Sequence, residues 1–474
     1  MTNDARPPAL TDARGMGGSI AQGGFDYQLW DGLIRLPAWL ADPAFEELIF
    51  EGLEDLEARF FAPQTPRGRL LERFQAKAGS LSPAEVRDVL QSFSAFETAY
   101  PQASRVHVLV TPRLPPTLAW LARDPARVRR ARPFYAPFAD IAAASDAELR
   151  RRLEGTYGEE LGGFVAASVE LNERNLPELD AAVAHFDAEL SRTFPSLDAG
   201  RRHVADAFAA LSELARRSIG VPLAADLMAR TMEQALGAKL PLPTVFPLHI
   251  RSDRNEEDAR AVQIDAATFS GGPAGFPEPA RWSALAAALE TTSRWLRARS
   301  TSRIRLGGSY RLTTAFLAGR NFRSAIGFEI DIPTKSGEWS TDQHSPPGAK
   351  LPWIVQSPSA LIDNRLVVGI GIVRDPSANI LKHLNLTESK NILLATLPQA
   401  LPNGVDAQVS VQAVKNAIAE VAARLRPEAI DLYYVGPAAF AVALGHRWNG
   451  LPSTQLYEFV QASGTYVPTA FIPL

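Results

Sequence analysis

The chain has 474 residues, no cysteine, and 49 basic against 52 acidic side chains, for a net charge of −3. Its length allows about three units of ~150 residues each, large enough for real cores, and the missing thiols exclude disulfides, thiolate metal sites and cysteine nucleophiles. The near-neutral charge excludes a uniformly basic nucleic-acid coat and leaves room only for a local basic track.

From the start, Met1–Gly18 carries acids and prolines but no apolar segment, so it does not read as a secretory signal. No later stretch approaches the ~18 apolar residues of a membrane helix, and the composition is that of a soluble, cytoplasmic protein. Gly15, Gly17, Gly18, Gly23 and Gly24 read as a loop and helix start. No Gly-Lys-Ser/Thr follows them, which excludes a P-loop. Phe25, Leu29, Leu33 and Leu36 recur at helical spacing and predict a helix over Ile20–Leu40. Strands are expected at Glu47–Phe50, Leu53–Phe61, Leu70–Ala78 and Val106–Thr111. Ser82, Pro83 and Glu85 form an N-terminal capping signature for a helix over Ser82–Phe93.

Residues 113–236 are rich in alanine, leucine, arginine and glutamate and read as helical, with periodic stretches at Asp146–Glu154, Leu179–Phe194, Ala199–Ile219 and Ala224–Leu236. Residues 237–247, with three prolines, read as a linker. Residues 248–474 alternate strands and helices in an α/β pattern. Within them, Ala315-Phe-Leu-Ala-Gly-Arg-Asn-Phe322 matches Ala441-Val-Ala-Leu-Gly-His-Arg-Trp448 at one fixed offset. Each copy follows a strand ending in glycine and precedes a strand with an aromatic–glutamate pair. Two similar α/β halves are expected, with a ligand crevice at strand carboxyl ends.

One count isolates a residue. The first 238 residues hold 25 arginines and a single lysine, Lys77. Lys77 stands in Phe74-Gln75-Ala76-Lys77, 22 residues after Asp55 of Leu53-Glu-Asp-Leu-Glu57. Alternate side chains of a strand share a face, so Gln75 and Lys77 project together, as do Asp55 and Glu57. This set suits metal-assisted phosphodiester hydrolysis. Asp55, with Gln75 and Glu57, would supply hard oxygen ligands for Mg²⁺. The ion would polarise a phosphate and acidify a water, and the lysine would add a compact point charge. Glu51, Glu54 and Glu57 compete with Asp55 for the metal role. The seven histidines show no metal-ligand spacing, and no Gly-x-Ser-x-Gly elbow occurs.

Three segments carry a resemblance. Gly17-Gly-Ser-Ile-Ala-Gln-Gly-Gly-Phe-Asp-Tyr-Gln28, Phe50-Glu-Gly-Leu-Glu-Asp55 and Phe74-Gln-Ala-Lys77 together resemble the N-terminal nuclease domain of the CD-NTase-associated effectors, a PD-(D/E)xK restriction-endonuclease-like fold. Leu432-Tyr-Tyr-Val-Gly-Pro-Ala-Ala-Phe-Ala441, Ala443–Asn449 and Gly337-Glu-Trp-Ser340 resemble their SAVED domain, which consists of two fused CARF-like halves. The resemblance implies an α/β protein with the endonuclease domain and its helical extension, the latter from about 113, in residues 1–236, and SAVED in 248–474. It also implies an anti-phage CBASS effector. A cyclic oligonucleotide from a CD-NTase, commonly a trinucleotide, would bind SAVED, drive homo-oligomerisation and switch on Mg²⁺-dependent cleavage of double-stranded DNA. Asp55 would then be the metal-binding acid, Lys77 the catalytic lysine, and Gln75 would stand where glutamate or aspartate is commoner. Base platforms and phosphate contacts for the messenger are expected among Tyr310, Arg311, Lys335, Trp339, Arg374, Lys382, Tyr434 and Arg447. DNA contacts are expected at Arg127, Arg129 and Arg130. The competing readings are a non-enzymatic sensor with a decayed nuclease fold, and an RNase or unregulated restriction-type nuclease.

Overall fold

The computed structural model describes residues 13–52, 54–135, 138–251, 261–266, 277–343, 351–461 and 463–474, with side chains left aside at 13–22, 129–135 and 139. The chain divides into two units, Met1–Leu242 and Pro243–Leu474, each treated by itself.

The first unit opens with α1 (Ala13–Ala41), followed by β1 (Phe45–Phe50), β2 (Leu56–Phe61), β3 (Arg69–Ala76), α2 (Pro83–Ala99) and β4 (Ser104–Thr111). Helix α1 begins earlier than its periodicity predicts and runs straight through the glycine group. The stripe of Leu29, Leu33 and Leu36 is buried against the sheet. That packing holds the helix, and each glycine costs only about 1 kcal/mol of propensity. At α2, Ser82 Oγ accepts the Glu85 N–H while Glu85 accepts the Ser82 N–H at 2.7 Å, so the capping box forms in full.

Next come α3 (Trp120–Tyr135), α4 (Ala139–Tyr157), α5 (Glu159–Ser168), β5 (Val169–Glu173), α6 (Leu179–Thr193), α7 (Arg201–Arg217), β6 (Leu223–Ala224) and α8 (Ala225–Leu236). The stretch expected as helical therefore also supplies two strands. The sheet runs β5-β4-β3-β2-β1-β6, with β1–β3 antiparallel and β3–β5 parallel. Helices α1, α6, α7 and α8 bury one face around Phe50, Phe74, Phe186 and Phe208. Helices α2 and α5 cover the other around Leu90, Phe93, Leu109 and Val165. This two-faced burial around a mixed sheet makes the unit a three-layer α/β sandwich.

The second unit contains β7 (Phe246–Arg251), β8 (Val262–Asp265), α9 (Pro279–Ala298), β9 (Arg303–Ser309), α10 (Leu312–Asn321), β10 (Glu329–Thr334) and β11 (Gly337–Ser340). Then follow β12 (Ile354–Gln356), β13 (Arg365–Ile372), α11 (Ser377–Leu384), β14 (Leu393–Leu397), α12 (Gly404–Leu425), β15 (Ala429–Val435), α13 (Ala438–Arg447), β16 (Thr454–Val460) and β17 (Thr465–Ile472). The two sheets run β8-β7-β9-β10-β11 and β14-β13-β15-β16-β17, with β12 added outside β14. Strand for strand this is one topology used twice, as the sequence repeat leads one to expect. The two copies of the repeat form α10 and α13, which pack on each other. A Cβ at Gly319 would stand 2.0 Å from the Val442 carbonyl oxygen, and one at Gly445 would stand 2.2 Å from that of Phe316. The repeated glycine is thus the residue that lets the two helices touch backbone to backbone. Among the described residues no helix is long and apolar enough to cross a membrane.

Candidate active site and ligand crevice

In the first unit the β2–β3 register pairs Leu56 with Phe74 and Glu57 with Arg73. One step further it sets Asp55 opposite Gln75. Asp55 Oδ2 accepts the Ala76 N–H at 2.8 Å, and the Gln28 side chain of α1 also hydrogen-bonds this carboxylate. The Lys77 N–H donates to the Val110 carbonyl at 2.8 Å and extends β3 to the lysine. Burial pushes the Asp55 carboxyl up from its ordinary value, while the Ala76 N–H, the Lys77 charge and Gln28 pull it back. Phe74 and Ala76 face the α1 core. Gln75 and Lys77 take the opposite face and line a cleft of about 420 Å³ with Leu81, Asp88 and Ser92 at the edge of α2.

The neighbouring acids have other partners. Glu54 pairs with Arg73 at 2.5 Å. Glu57 is 1% exposed and lies 3.6 Å from Arg59. Glu51 is exposed and takes a left-handed φ of 54°. Asp55 is the acid that a β3 amide and a helix side chain both hold at the strand end. Among the described residues no three acids or histidines gather as a metal cluster. Around Asp55 stand two glutamine amides and a lysine, with Glu85 and Asp88 of α2 on the far wall of the cleft, and Gln28 Oε1 is buried with no hydrogen-bond partner. Such hard oxygen donors fit Mg²⁺, which commonly takes one or two protein carboxylates and completes its shell with water and substrate phosphate. Asp55, Gln75 and Gln28 would hold it.

Arg127 is exposed on α3, and the side chains of Arg129 and Arg130 lie outside the described residues. Beside Arg127, a cleft of about 840 Å³ mixes Arg123 and Arg152 with Asp124, Asp140 and Glu148. Asp124 binds Arg123 at 2.7 Å and Arg152 at 2.9 Å, so this surface is of mixed charge.

In the second unit the strand order reverses between β7 and β9 and again between β13 and β15. Crevices at such reversals, outside the carboxyl ends of the strands, are where open α/β sheets bind ligands. Tyr310 and Arg311 follow β9 there, and the exposed Arg374 follows β13. Gly308 (φ 96°) is forced to be glycine, since a Cβ would meet the Ile250 carbonyl oxygen at 2.1 Å. Burial pushes the Tyr310 hydroxyl well up from its ordinary value. Arg311 donates to Glu458 at 3.1 Å, and Glu458 also accepts the Thr313 N–H at 2.6 Å. Tyr434 is buried, donates its hydroxyl to the Pro437 carbonyl at 2.7 Å and stacks on Phe440. Arg447 ties the halves together through Ser324 Oγ and the Thr341 carbonyl, both at 3.3 Å. Lys335 is exposed in the β10–β11 turn, Trp339 is buried on β11, and Lys382 is exposed on α11. The structure therefore brings Tyr310, Arg311, Arg374 and Tyr434 to the carboxyl ends of the strands at the two reversals, with the Tyr434 side chain packed inward, and places Lys335, Trp339, Lys382 and Arg447 elsewhere in the unit.

Two residues escaped the sequence reading. His249 of β7 is nearly buried beside Gly307 and Gly308, and its Nε2 has no partner among the described residues. Arg73 sits buried at the root of the Asp55 loop. A polar residue inside an otherwise apolar strand, as in Phe246-Pro-Leu-His-Ile250, was the available signal for the first.

Comparison with known proteins bears on the second unit and on the chain's overall likeness. Residues 288–472 match the family described as SAVED, the SMODS-associated and fused to various effectors sensor domain. The protein named CD-NTase-associated protein 4 of Acinetobacter sp. (strain ATCC 27244 / 9458) is 22% identical over 475 residues, covering 98% of this chain and 99% of the relative. A protein of the same name from Moraxella osloensis is 23% identical, covering 98% of each. Among solved structures, the Acinetobacter baumannii Cap4 SAVED/CARF-domain containing receptor with the cyclic trinucleotide 3′3′3′-cAAA superposes with a TM-score of 0.76 at 22% identity, over 95% of this chain and 99% of that one. The Moraxella osloensis Cap4 receptor gives 0.72 at 20% identity, over 96% of this chain and 100% of that one. Over its full length, therefore, the chain is similar to the proteins named CD-NTase-associated protein 4, and its residues 288–472 match the SAVED sensor domain.

Proposed function

We propose that this chain is a CBASS effector in which the second unit senses a cyclic oligonucleotide and the first is a PD-(D/E)xK-type, Mg²⁺-dependent endonuclease acting on double-stranded DNA. The observation that carries the enzymatic half is the Asp55 carboxylate held on the Ala76 amide, with Gln75 and Lys77 on the same strand end. Full-length likeness to CD-NTase-associated protein 4 supports the pairing of the two functions. The cyclic trinucleotide in the related receptor supports the messenger class.

The chain's own residues divide the work. Asp55 presents one fixed carboxylate, oriented by Ala76 and Gln28. Lys77 places a positive charge beside it to neutralise charge developing on a bound phosphodiester and to orient the attacking water. Gln75 adds an uncharged oxygen on the same face. Mg²⁺, when bound, supplies polarisation of the phosphate and acidification of a water. Messenger binding would favour an assembled, cutting-competent homo-oligomer by binding it more tightly than the separate subunits.

The test is plasmid cleavage with Mg²⁺ or EDTA across a panel of cyclic di- and trinucleotides, with Lys77→Ala alongside and RNA as a second substrate. Cutting of DNA that requires metal, messenger and Lys77 supports the proposal. A wild-type protein that binds a messenger but never cuts would instead be a sensor with a decayed nuclease. Cutting without messenger, or of RNA alone, would point to the unregulated nuclease or RNase.

A further inference from the structure

Asp55 does not lie in a strand. It ends a short loop from Glu51 to Asp55 that turns the chain from β1 into β2, and something must fix that loop to the sheet. The loop closes on itself: the Glu51 N–H donates to the Asp55 carbonyl at 2.9 Å, with Glu51 in the left-handed region at φ 54°. Gly52 rests on Glu57, whose Oε1 would be 3.0 Å from a Cβ added there. The strongest tie is Arg73. Its side chain leaves β3 on the same face as Gln75 and Lys77, and it is 2% exposed. Its guanidinium lies 3.4 Å over the Phe96 ring of α2, 3.5 Å from His107 Nδ1 and 2.5 Å from Glu54 Oε1. One planar group thus joins β3, β4, α2 and the residue next to Asp55.

We infer that Arg73 is a positioning residue that fixes the Asp55 carboxylate by clamping Glu54. The inference rests on the endonuclease reading only for its consequence in catalysis; the clamp itself is a matter of geometry. Arginine suits the task because its planar fork stacks on the Phe96 ring while donating in-plane to a carboxylate. Lysine at this position would keep the charge and could reach one partner, but its single ammonium has no plane to stack on the ring while it binds the carboxylate. Arg73 also supplies positive charge between Glu54 and Glu57, which lets four acids (Glu51, Glu54, Asp55 and Glu57) crowd into seven residues.

The test uses the full chain as Arg73→Gln, Arg73→Lys, Glu54→Gln and the double variant, each checked for folding by its melting temperature. Mg²⁺ alone is titrated by calorimetry without DNA, and exchange of the Ala76 amide, which Asp55 accepts, is followed by hydrogen–deuterium exchange. Arg73→Gln and Glu54→Gln should each weaken Mg²⁺ binding by about 10–100-fold, the usual effect of losing a residue that orients a metal ligand. Arg73→Lys should fall between them and wild type. The double variant should be no worse than Arg73→Gln, because both changes break one clamp. Ala76 exchange should accelerate in all four. Should Arg73→Gln fail to fold, Glu54→Gln and Arg73→Lys still decide the matter, because the Glu54 end of the clamp lies partly in solvent. Unchanged Mg²⁺ affinity and unchanged Ala76 exchange in those two variants would overturn the inference. A wild type that binds no Mg²⁺ would count against the endonuclease reading, while Ala76 exchange would still report whether Arg73 holds Asp55.

Discussion

Lys77 is the residue on which the enzymatic reading turns. It is half-buried at the end of β3, and its amide, not its side chain, completes the strand. Lys77→Ala should therefore leave the melting temperature nearly unchanged while cutting DNA cleavage by about 10²–10⁴-fold, the range for loss of one positioned catalytic group. Lys77→Arg should recover little, because a delocalised fork cannot replace a compact ammonium in a narrow cleft. Asp55→Asn makes the complementary point. An amide oxygen can still accept the Ala76 N–H, so the fold should survive, but the charge that would hold a cation is gone. Calorimetry with Mg²⁺ should show at least about a tenfold loss of affinity. Full cleavage by either variant would move the chemistry elsewhere.

At the scale of elements, the repeated glycine carries the clearest prediction. Gly319 and Gly445 sit where α10 and α13 meet, and a methyl group at either would overlap a backbone carbonyl of the other helix. Backbone yields less than a flexible side chain, so Gly319→Ala and Gly445→Ala should each cost about 3 kcal/mol or more, above the ordinary range for overpacking. Urea unfolding of the full chain should show it as a lower midpoint. Ser82→Ala offers a milder contrast. It removes one half of the α2 capping box and should cost about 1 kcal/mol. This helix lines the cleft that holds Lys77, so a looser α2 should also lower cleavage slightly.

At the scale of the whole molecule, the two units should respond differently to acid. Burial holds His446 down to about 4, opposed by its bond to the Phe322 carbonyl and helped by nearby Arg447; burial also lowers His383. The unfolded chain takes these protons near pH 6.5, and the folded chain takes them only at lower pH, about 4 for His446. Stability from these groups is therefore complete above pH 6.5 and declines as pH falls toward 4. His107 in the first unit is likewise held to about 4. There, however, Glu51, Glu54, Asp55 and Glu72 are all raised by burial and gain protons early in the folded state, which works the other way. Hydrogen exchange, corrected for its intrinsic pH dependence, should accelerate more in α10 and α13 than in α1 between pH 7 and pH 5. Messenger binding should raise the melting temperature of the second unit, since a ligand that binds only the folded form stabilises it by mass action.

Much of this was legible in the amino-acid sequence. Strand and helix alternation, the α2 cap and the duplicated Ala–Gly segment all express local periodicity, and local periodicity determines which elements form. The residues that gather at the candidate site were legible too: Asp55, Gln75 and Lys77 were singled out by their spacing and by a lone lysine among arginines. Other features had no local signal. Strands β5 and β6 are five and two residues long, too short for a period to declare itself, and they exist because β4 and β1 offer open edges. Helix α1 overrides its own glycines because its later turns are buried. The sequence by itself determined the α/β class, the repeat and the set of acids around Asp55. Only the tertiary structure gave those acids different partners: Arg73 takes Glu54 and Arg59 lies beside Glu57, while the Ala76 amide and Gln28 take Asp55. The partners of Glu54 and Asp55 come from strands and helices 19 to 27 residues away in the chain, and burial and pairing at that distance are properties of packing that no local pattern encodes.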